Sequence, residues 1–325
     1  MDNQLYSIDE ASRRKLSLQV LAGRAFLIKT PPAETYLREL HGWLSSGALG
    51  AIVYGRPRLG KTSATRWVLG QMNMFIGRIP WIEIPLRDQR IATEREFFQF
   101  LLRCARHREY AKKGTAADRR DRLSEWIIAR ARRSSIGTFV FFVDEAQRLT
   151  QMHFQWLLNV SNELDAVGYR LFCIFVGQQT LKKKKAELLD DEQEQIVGRF
   201  MIHELAYVGI INDQQIAECL IQYDNTLYPA DTDQKFVSNY VPENFKSGFR
   251  LSALSGLVWS SFQTAWSEAG RSKTAEVPMH YLASTVICLL NDLSKKDFKT
   301  IVCGRREIDI AVAKSGYQDA VRAWR

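Results

Sequence analysis

Along this chain, short and almost wholly apolar runs alternate with longer stretches in which apolar residues return every three or four positions. Ala33–Ser46 places Leu37, Leu40 and Leu44 on one face and stops at Gly47, which predicts an amphipathic helix. Ala51–Tyr54 reads as a strand, Ser63–Met74 as a helix and Ile79–Leu86 as a second strand. Thr93–His107 is predicted helical, with Phe97, Phe98, Leu101 and Leu102 as its stripe. Lys113–Ala117 reads as a loop and Arg119–Arg133 as a helix turning Leu123, Trp126, Ile127 and Ile128 inward. Thr138–Val143 and Arg170–Val176 are nearly continuous β-prone apolar runs, as expected of parallel strands covered on both faces. Phe154–Val167 and Glu187–Arg199 are predicted helices, and Phe200–Leu205 a last short strand. Strands alternating with helices imply a layered α/β sheet domain.

After Gly209 the strand signal ends. Asp213–Leu227, Asp231–Val241, Arg250–Glu268 and Pro278–Asp292 read as helices. The pattern therefore predicts four regions: a leader over residues 1–32 with a helix at Ser7–Leu21, an α/β core over 33–209, a helical domain over 210–294, and a basic tail over 295–325.

Composition sharpens this picture. With 325 residues, 46% of them hydrophobic, the chain can bury a full core, yet no apolar run approaches the roughly 20 residues that a membrane span needs. Met1–Glu10 is polar and partly acidic, so no signal peptide is expected. Cys104, Cys173, Cys219, Cys288 and Cys303 are scattered without a C-x-x-C pair, which argues against a zinc site or a disulfide framework and for a reducing, cytoplasmic compartment. The formal net charge is +9, and lysines and arginines crowd residues 103–133 and the run Lys182–Lys185. Clustered positive charge points to a polyanionic partner.

The stretch Gly55, Arg56, Pro57, Arg58, Leu59, Gly60, Lys61, Thr62 fits G-x-x-x-x-G-K-[ST] between a strand and a helix, with Ser63 behind it. The glycines let successive N–H groups turn toward phosphate oxygens, Lys61 would reach the β- and γ-phosphates, and the Thr62 hydroxyl would ligate Mg²⁺. Asp144 follows five apolar residues, so its carboxylate emerges at a strand end where it can hold the metal's shell, and Glu145 beside it can polarise a water as general base. An adjacent Asp-Glu pair favours hydrolysis over transfer to a bound acceptor, against a small-molecule or nucleoside kinase. Gln178 ends the next buried strand and could orient the water, with Gln179 as its competitor. Arg199, in "IVGRF", is placed to act on a neighbouring subunit's transition state, and Arg250, opening a helix in "GFRLSAL", to couple the helical domain to the nucleotide in cis.

These boxes, in this order, resemble an AAA+ ATPase over about residues 24–292. The resemblance implies a three-layer αβα P-loop domain with a parallel central sheet, followed by a small α-helical lid. Within AAA+, "FLIKTPPAETYLRELHGWL", "VDEAQRL" and "FVGQQTL" resemble the TnsC/TniB group of transposition regulators, with MuB and origin-recognition-type ATPases more distant. Such proteins are implied to bind ATP and Mg²⁺ and to assemble as rings, hexameric or heptameric, or as helical filaments on double-stranded DNA. They link a TniQ/TnsD-like target selector to a TnsA/TnsB-like transposase, and some serve CRISPR-associated, RNA-guided transposons. In one departure, Gln178 stands where many AAA+ proteins carry Asn, Thr or Ser.

In this family DNA is implied to run through the ring, held by loops between strands. Arg87, Arg90, Lys112, Lys113, Arg119 and Arg120 after the second strand, Arg148 after the acidic box, and Lys182, Lys183, Lys184 and Lys185 after the fourth strand are the candidates. Phosphate contacts of this kind position without reading sequence, and no base-reading module is evident. Seven of the tryptophans read as core; Trp324, in a basic tail, suggests a segment that docks a partner. An AAA+ replication initiator or loader is the alternative. It would be expected to append a winged-helix module, for which the length after residue 292 is short. A secretion-type ATPase would want a membrane segment.

Overall fold

A computed structural model of the chain describes residues 9–21, 26–87, 91, 93–296 and 303–324. It resolves into two compact units: Thr35–Pro57 with Ala64–Tyr207, and Met1–Glu34 with Arg58–Ser63 and Val208–Arg325. In chain order the elements are α1 (Glu10–Leu21), α2 (Pro31–Ser45), β1 (Gly50–Tyr54), α3 (Lys61–Phe75), β2 (Trp81–Pro85), α4 (Glu94–Cys104) and α5 (Ala116–Ala131). Next come β3 (Thr138–Asp144), α6 (Gln151–Ala166), β4 (Arg170–Gly177), α7 (Thr180–Asp190), α8 (Glu194–Phe200) and β5 (His203–Ala206). The helical region holds α9 (Asp213–Asn225), α10 (Pro242–Lys246), α11 (Ser255–Glu268), α12 (Met279–Leu293), α13 (Arg305–Lys314) and α14 (Tyr317–Ala323).

The five strands form one parallel sheet in the order β2-β3-β4-β1-β5. Successive strand residues point to opposite faces, and both faces are covered. Phe139, Phe141 and Val143 of β3 share one apolar cluster with Leu171, Cys173 and Phe175 of β4. The alternate residues Val140, Phe142, Phe172 and Ile174 are as fully buried. This is why β3 and β4 read as unbroken apolar runs. The helices start where caps permit: Thr93 opens α4 and Thr115 opens α5, each closing a capping box with an acid three residues on, Glu96 and Asp118. The Thr115 cap sets the start of α5 at Ala116, three residues before the predicted Arg119.

The structure departs from the sequence reading in several places. The predicted charged helix Glu187–Arg199 is two helices, α7 and α8. Glu192 between them takes φ 58°, a left-handed conformation that interrupts any helix. Asp231–Val241 holds only a single 3₁₀ turn at Val237–Asn239. There the Asn239 amide donates to the carbonyls of Tyr228, Lys235 and Phe236, offering the backbone an alternative to helix. The basic tail holds two helices, α13 and α14. Ile308, Ala311 and Val312 of α13 and Tyr317 and Val321 of α14 are buried in the same cluster as α9, α11 and α12, and Trp324 stacks edge-on against Trp266 and Tyr317. Leu16 and Val20 of α1 join that cluster, so the leader belongs to the helical unit. Among the described residues, no helix is long and apolar enough to cross a membrane.

Candidate active site

The register of the sheet brings three of the predicted boxes to one edge. Tyr54 at the end of β1 pairs with Gly177 at the end of β4, and Gly55 donates its N–H to the Gly177 carbonyl at 3.3 Å. Val176 pairs with Asp144 at the end of β3, and Pro85 of β2 pairs with Asp144 from the other side. The start of the phosphate loop, the acidic box and Gln178 therefore lie side by side at the carboxyl ends of adjacent parallel strands, where open α/β sheets hold their ligands.

The loop itself changes handedness twice. Arg58 has φ 66° and Gly60 φ 95° before α3 begins at Lys61. Alternation of this kind turns consecutive N–H groups to one side, forming a concavity suited to anions. A Cβ on Gly60 would meet the Met279 side chain at 3.3 Å, and the left-handed backbone independently favours glycine there. Arg58 also sits 2.7 Å from His280 through Nη1 and Nε2. Burial and the neighbouring Arg58 cation hold the His280 imidazole below its ordinary range. Further along α3, Arg66 clasps Glu83 of β2 through two hydrogen bonds of 2.8 and 2.6 Å. The ion pair raises Arg66 above its usual range, mainly through the Glu83 hydrogen bond. Thr65 donates to the wholly buried Tyr36 hydroxyl at 3.3 Å, packing α3 onto α2.

At the acidic box Asp144 ends β3 and Glu145 follows with φ 57°, ψ 38°. A 3₁₀ turn, Ala146–Arg148, comes next and carries a residue that sequence reasoning passed over. Gln147 Nε2 donates to Glu145 Oε2 at 2.6 Å, and Gln147 Oε1 accepts from the Gln178 backbone N–H at 3.1 Å. One amide thus spans the ends of β3 and β4. The only signal in the sequence is a second amide two residues past the acid pair, at a spacing that brings it back only in a tight turn.

Arg199 lies on α8 and is engaged within the sheet unit. Its Nη1 is 2.9 Å from both Asp165 Oδ2 and Ser161 Oγ on α6. Arg250 is exposed and holds its own neighbourhood, donating to the carbonyls of Phe245 at 2.9 Å and Phe249 at 2.7 Å, with its guanidinium 3.9 Å from the Phe245 ring centre. Just after it, the buried Asp224 carboxylate accepts from the Leu251 and Ser252 N–H groups at 2.9 Å each, fixing the turn that leads into α11.

The basic candidates separate into kinds. Arg119 is buried, donating to the Arg95 carbonyl and to Gln99 Oε1. It is a packing residue between α5 and α4 and is withdrawn from the set of DNA contacts, because a buried guanidinium cannot reach a phosphate. Arg120 is half-buried between Glu94, at 3.3 Å, and Glu163, whose Oε1 lies 2.9 Å from its Nε without hydrogen-bond alignment. Lys184 and Lys185 pair with Glu187 and Glu204. The four lysines lie on α7 and not in a loop; Lys182, exposed, stands 5.7 Å from the Tyr54 ring centre, and Lys183 is exposed. Arg87 and Arg148 are exposed, as are Lys112 and Lys113 in the segment before α5. Arg90 lies outside the described residues.

Residues 44–184, which include the loop, the acidic box and Gln178, match the family model for an AAA domain. The ADP form of the ORC2 protein of Aeropyrum pernix superposes with a TM-score of 0.58 at 10% identity, covering 92% of this chain and 73% of that one. The fold is that of the AAA+ P-loop proteins. The ADPNP–ADP complexes of the same ORC2 give a TM-score of 0.52 at 12% identity, and Cdc6p from Pyrobaculum aerophilum gives 0.55 at 12%. This chain covers 87% and 85% of itself in those two superpositions and spans 66% of either relative. No curated protein matches the sequence. Arg199 and Arg250 lie beyond the part of the chain that the family model covers.

Proposed function

We propose that the chain is an ATP-driven, largely sequence-nonspecific DNA-binding ATPase that oligomerises on duplex DNA. The observation that carries this reading is the gathering of Asp144, Glu145 and Gln178 with Gly55, the first residue of the phosphate loop, at the carboxyl ends of adjacent strands. The donor set fits Mg·ATP. Gly55–Ser63 offers N–H groups and the Lys61 ammonium for phosphates. The Thr62 hydroxyl and Asp144 carboxylate are hard oxygen ligands of the kind Mg²⁺ takes. Bound metal would neutralise charge on the phosphates. Glu145 would take a proton from the attacking water, and Gln178 would help orient that water. Arg250 would report nucleotide state to the helical unit. Arg199 would exchange Asp165 for the triphosphate of a neighbouring copy, a trade of one anion for another of higher charge.

DNA contact falls to the exposed cations Arg87, Lys113, Arg148, Lys182 and Lys183, with the ion-paired Lys112, Lys184 and Lys185 able to change partner, since ion pairs at the surface hold by about 0–1 kcal/mol. Within this reading, the likeness to ORC2 and Cdc6p favours an initiator- or loader-type ATPase. The motifs "VDEAQRL" and "FVGQQTL" favour a regulator that joins a transposase to a target selector. Electron microscopy with duplex DNA and a non-hydrolysable ATP analogue tests the shared core: rings or filaments should need both ligands, and Lys61→Ala should form none. Assembly by Lys61→Ala equal to the parent's, indifferent to nucleotide, would sink it. Loading of a replicative helicase ring onto closed circular DNA, against stimulation of strand transfer by a transposase, separates the two roles.

A further inference from the structure

We propose that Gln147 is a positioning residue for hydrolysis, a bridge that aims the Glu145 carboxylate and ties it to the end of the strand bearing Gln178. The inference rests on the reading of Glu145 as general base. Glu145 occupies a left-handed backbone conformation that a non-glycine residue adopts only when its surroundings impose it. Its side chain therefore leaves the strand end in a direction set by the turn that follows, and the Gln147 amide supplies the contact that fixes it, at 2.6 Å. That amide is itself fixed. Its oxygen accepts from the Gln178 N–H, so its NH₂ group can face only the carboxylate. The fold makes room for it: a Cβ at Gly177 would collide with Gln147 Oε1, so glycine at the end of β4 is what admits the bridge. Two strand ends that carry the base and the water-orienting amide thus move as one.

The bridge is a donor to an anion, and this separates it from simple packing. Gln147→Glu keeps the shape and can still accept from the Gln178 N–H, but sets a second carboxylate against Glu145. Gln147→Met keeps the bulk without polarity, and Gln147→Ala removes both. Steady-state ATPase assays with duplex DNA should show kcat falling about tenfold in Met and Ala and furthest in Glu. KM and the dissociation constant for a fluorescent ATP analogue should stay within about twofold of the parent's, and so should the melting temperature within its error. Gly177→Ala, which displaces the amide without replacing the residue that carries it, should lower kcat toward the Gln147→Ala value. A filler of space would give the reverse ranking, with Ala worst and Glu mild. That result, unchanged kcat in all three, or a rise in kcat would overturn the proposal. Glu145→Gln run in parallel distinguishes the failures. If it is inactive while the Gln147 series matches the parent, only the bridge is wrong. If it hydrolyses ATP at the parental rate, or the parent itself turns over none, the base assignment falls and the bridge with it.

Discussion

Replacing Arg119 with alanine separates a structural cation from a DNA-binding one. The guanidinium lies between α5 and α4, 6% exposed, with Nη1 3.1 Å from the Arg95 carbonyl and 2.8 Å from Gln99 Oε1. Hydrogen bonds that involve a charged group contribute about 1.5–3 kcal/mol each. The Arg95 carbonyl lies inside α4, where the helix supplies another donor, so its loss costs less than the full amount. The Arg119 Nε is buried with no hydrogen-bond partner among the described residues, a cost already present in the parent that the alanine variant relieves. These considerations leave a net destabilisation of about 2–3 kcal/mol, which for a unit of this size lowers the melting temperature by roughly 5–10 °C. Scanning fluorimetry would read the shift. Fluorescence anisotropy with a labelled duplex, well below the transition and across a salt series, would read DNA affinity, which should be unchanged. An Arg119→Ala protein that melts like the parent but binds DNA more weakly, with a shallower salt slope, would refute the assignment and return Arg119 to the DNA surface.

The pair Lys112→Ala/Lys113→Ala should do the opposite, leaving melting intact and reducing the slope of log K against log salt by roughly 0.9 for each phosphate contact removed. Arg199→Ala should lower DNA-stimulated hydrolysis on the order of 10³–10⁵-fold; mixing it with Lys61→Ala should restore part of the rate if the arginine acts across subunits, and none if it serves only the Asp165 ion pair. His153 accepts from the Thr150 N–H at Nδ1 and contacts the Ile91 carbonyl through Nε2, and burial holds it below the ordinary imidazole value of 6.5. The fold therefore favours its neutral form, its stabilisation is complete above pH 6.5, and it is lost as pH falls below that value toward the folded-state pKa. Urea midpoints should drop over that window, and His153→Gln should flatten the drop. Truncation before α13 should destabilise the helical unit, because it strips Ile308, Ala311, Val312, Tyr317 and Val321 from its core; a freely docking tail would leave urea midpoints unmoved.

What was legible in the sequence follows from how each element earns its stability. β3 and β4 announce themselves because burial on both faces leaves no polar position between their end residues. The phosphate loop shows because its backbone needs glycine at particular places. The break between α7 and α8 was invisible, since Glu192 and Gln193 are ordinary helix formers and the interruption is made by a backbone conformation that neither residue advertises. The helices α13 and α14 do not show in the sequence because the lysines and arginines of the tail outweigh, in composition, the apolar residues at helical spacing that pack. Arg119 and Lys113 look alike in a basic run, and only the meeting of α4 with α5 tells them apart. Gln147 escaped notice because its role depends on Gln178, 31 residues further along the chain.

Gly50, at the start of β1, is in contact with the helix that bears Arg199: a Cβ there would lie 2.7 Å from the Phe200 carbonyl and 2.8 Å from its Cα. The other end of the same five-residue strand opens into the phosphate loop. β1 is wholly buried and hydrogen-bonded on both sides, by β4 and by β5. It is a stiff strut about 17 Å long, too short and too tightly held to stretch. Under the proposed function, the ligand-binding loop and the helix that bears Arg199 therefore sit at the two ends of one short, buried strand.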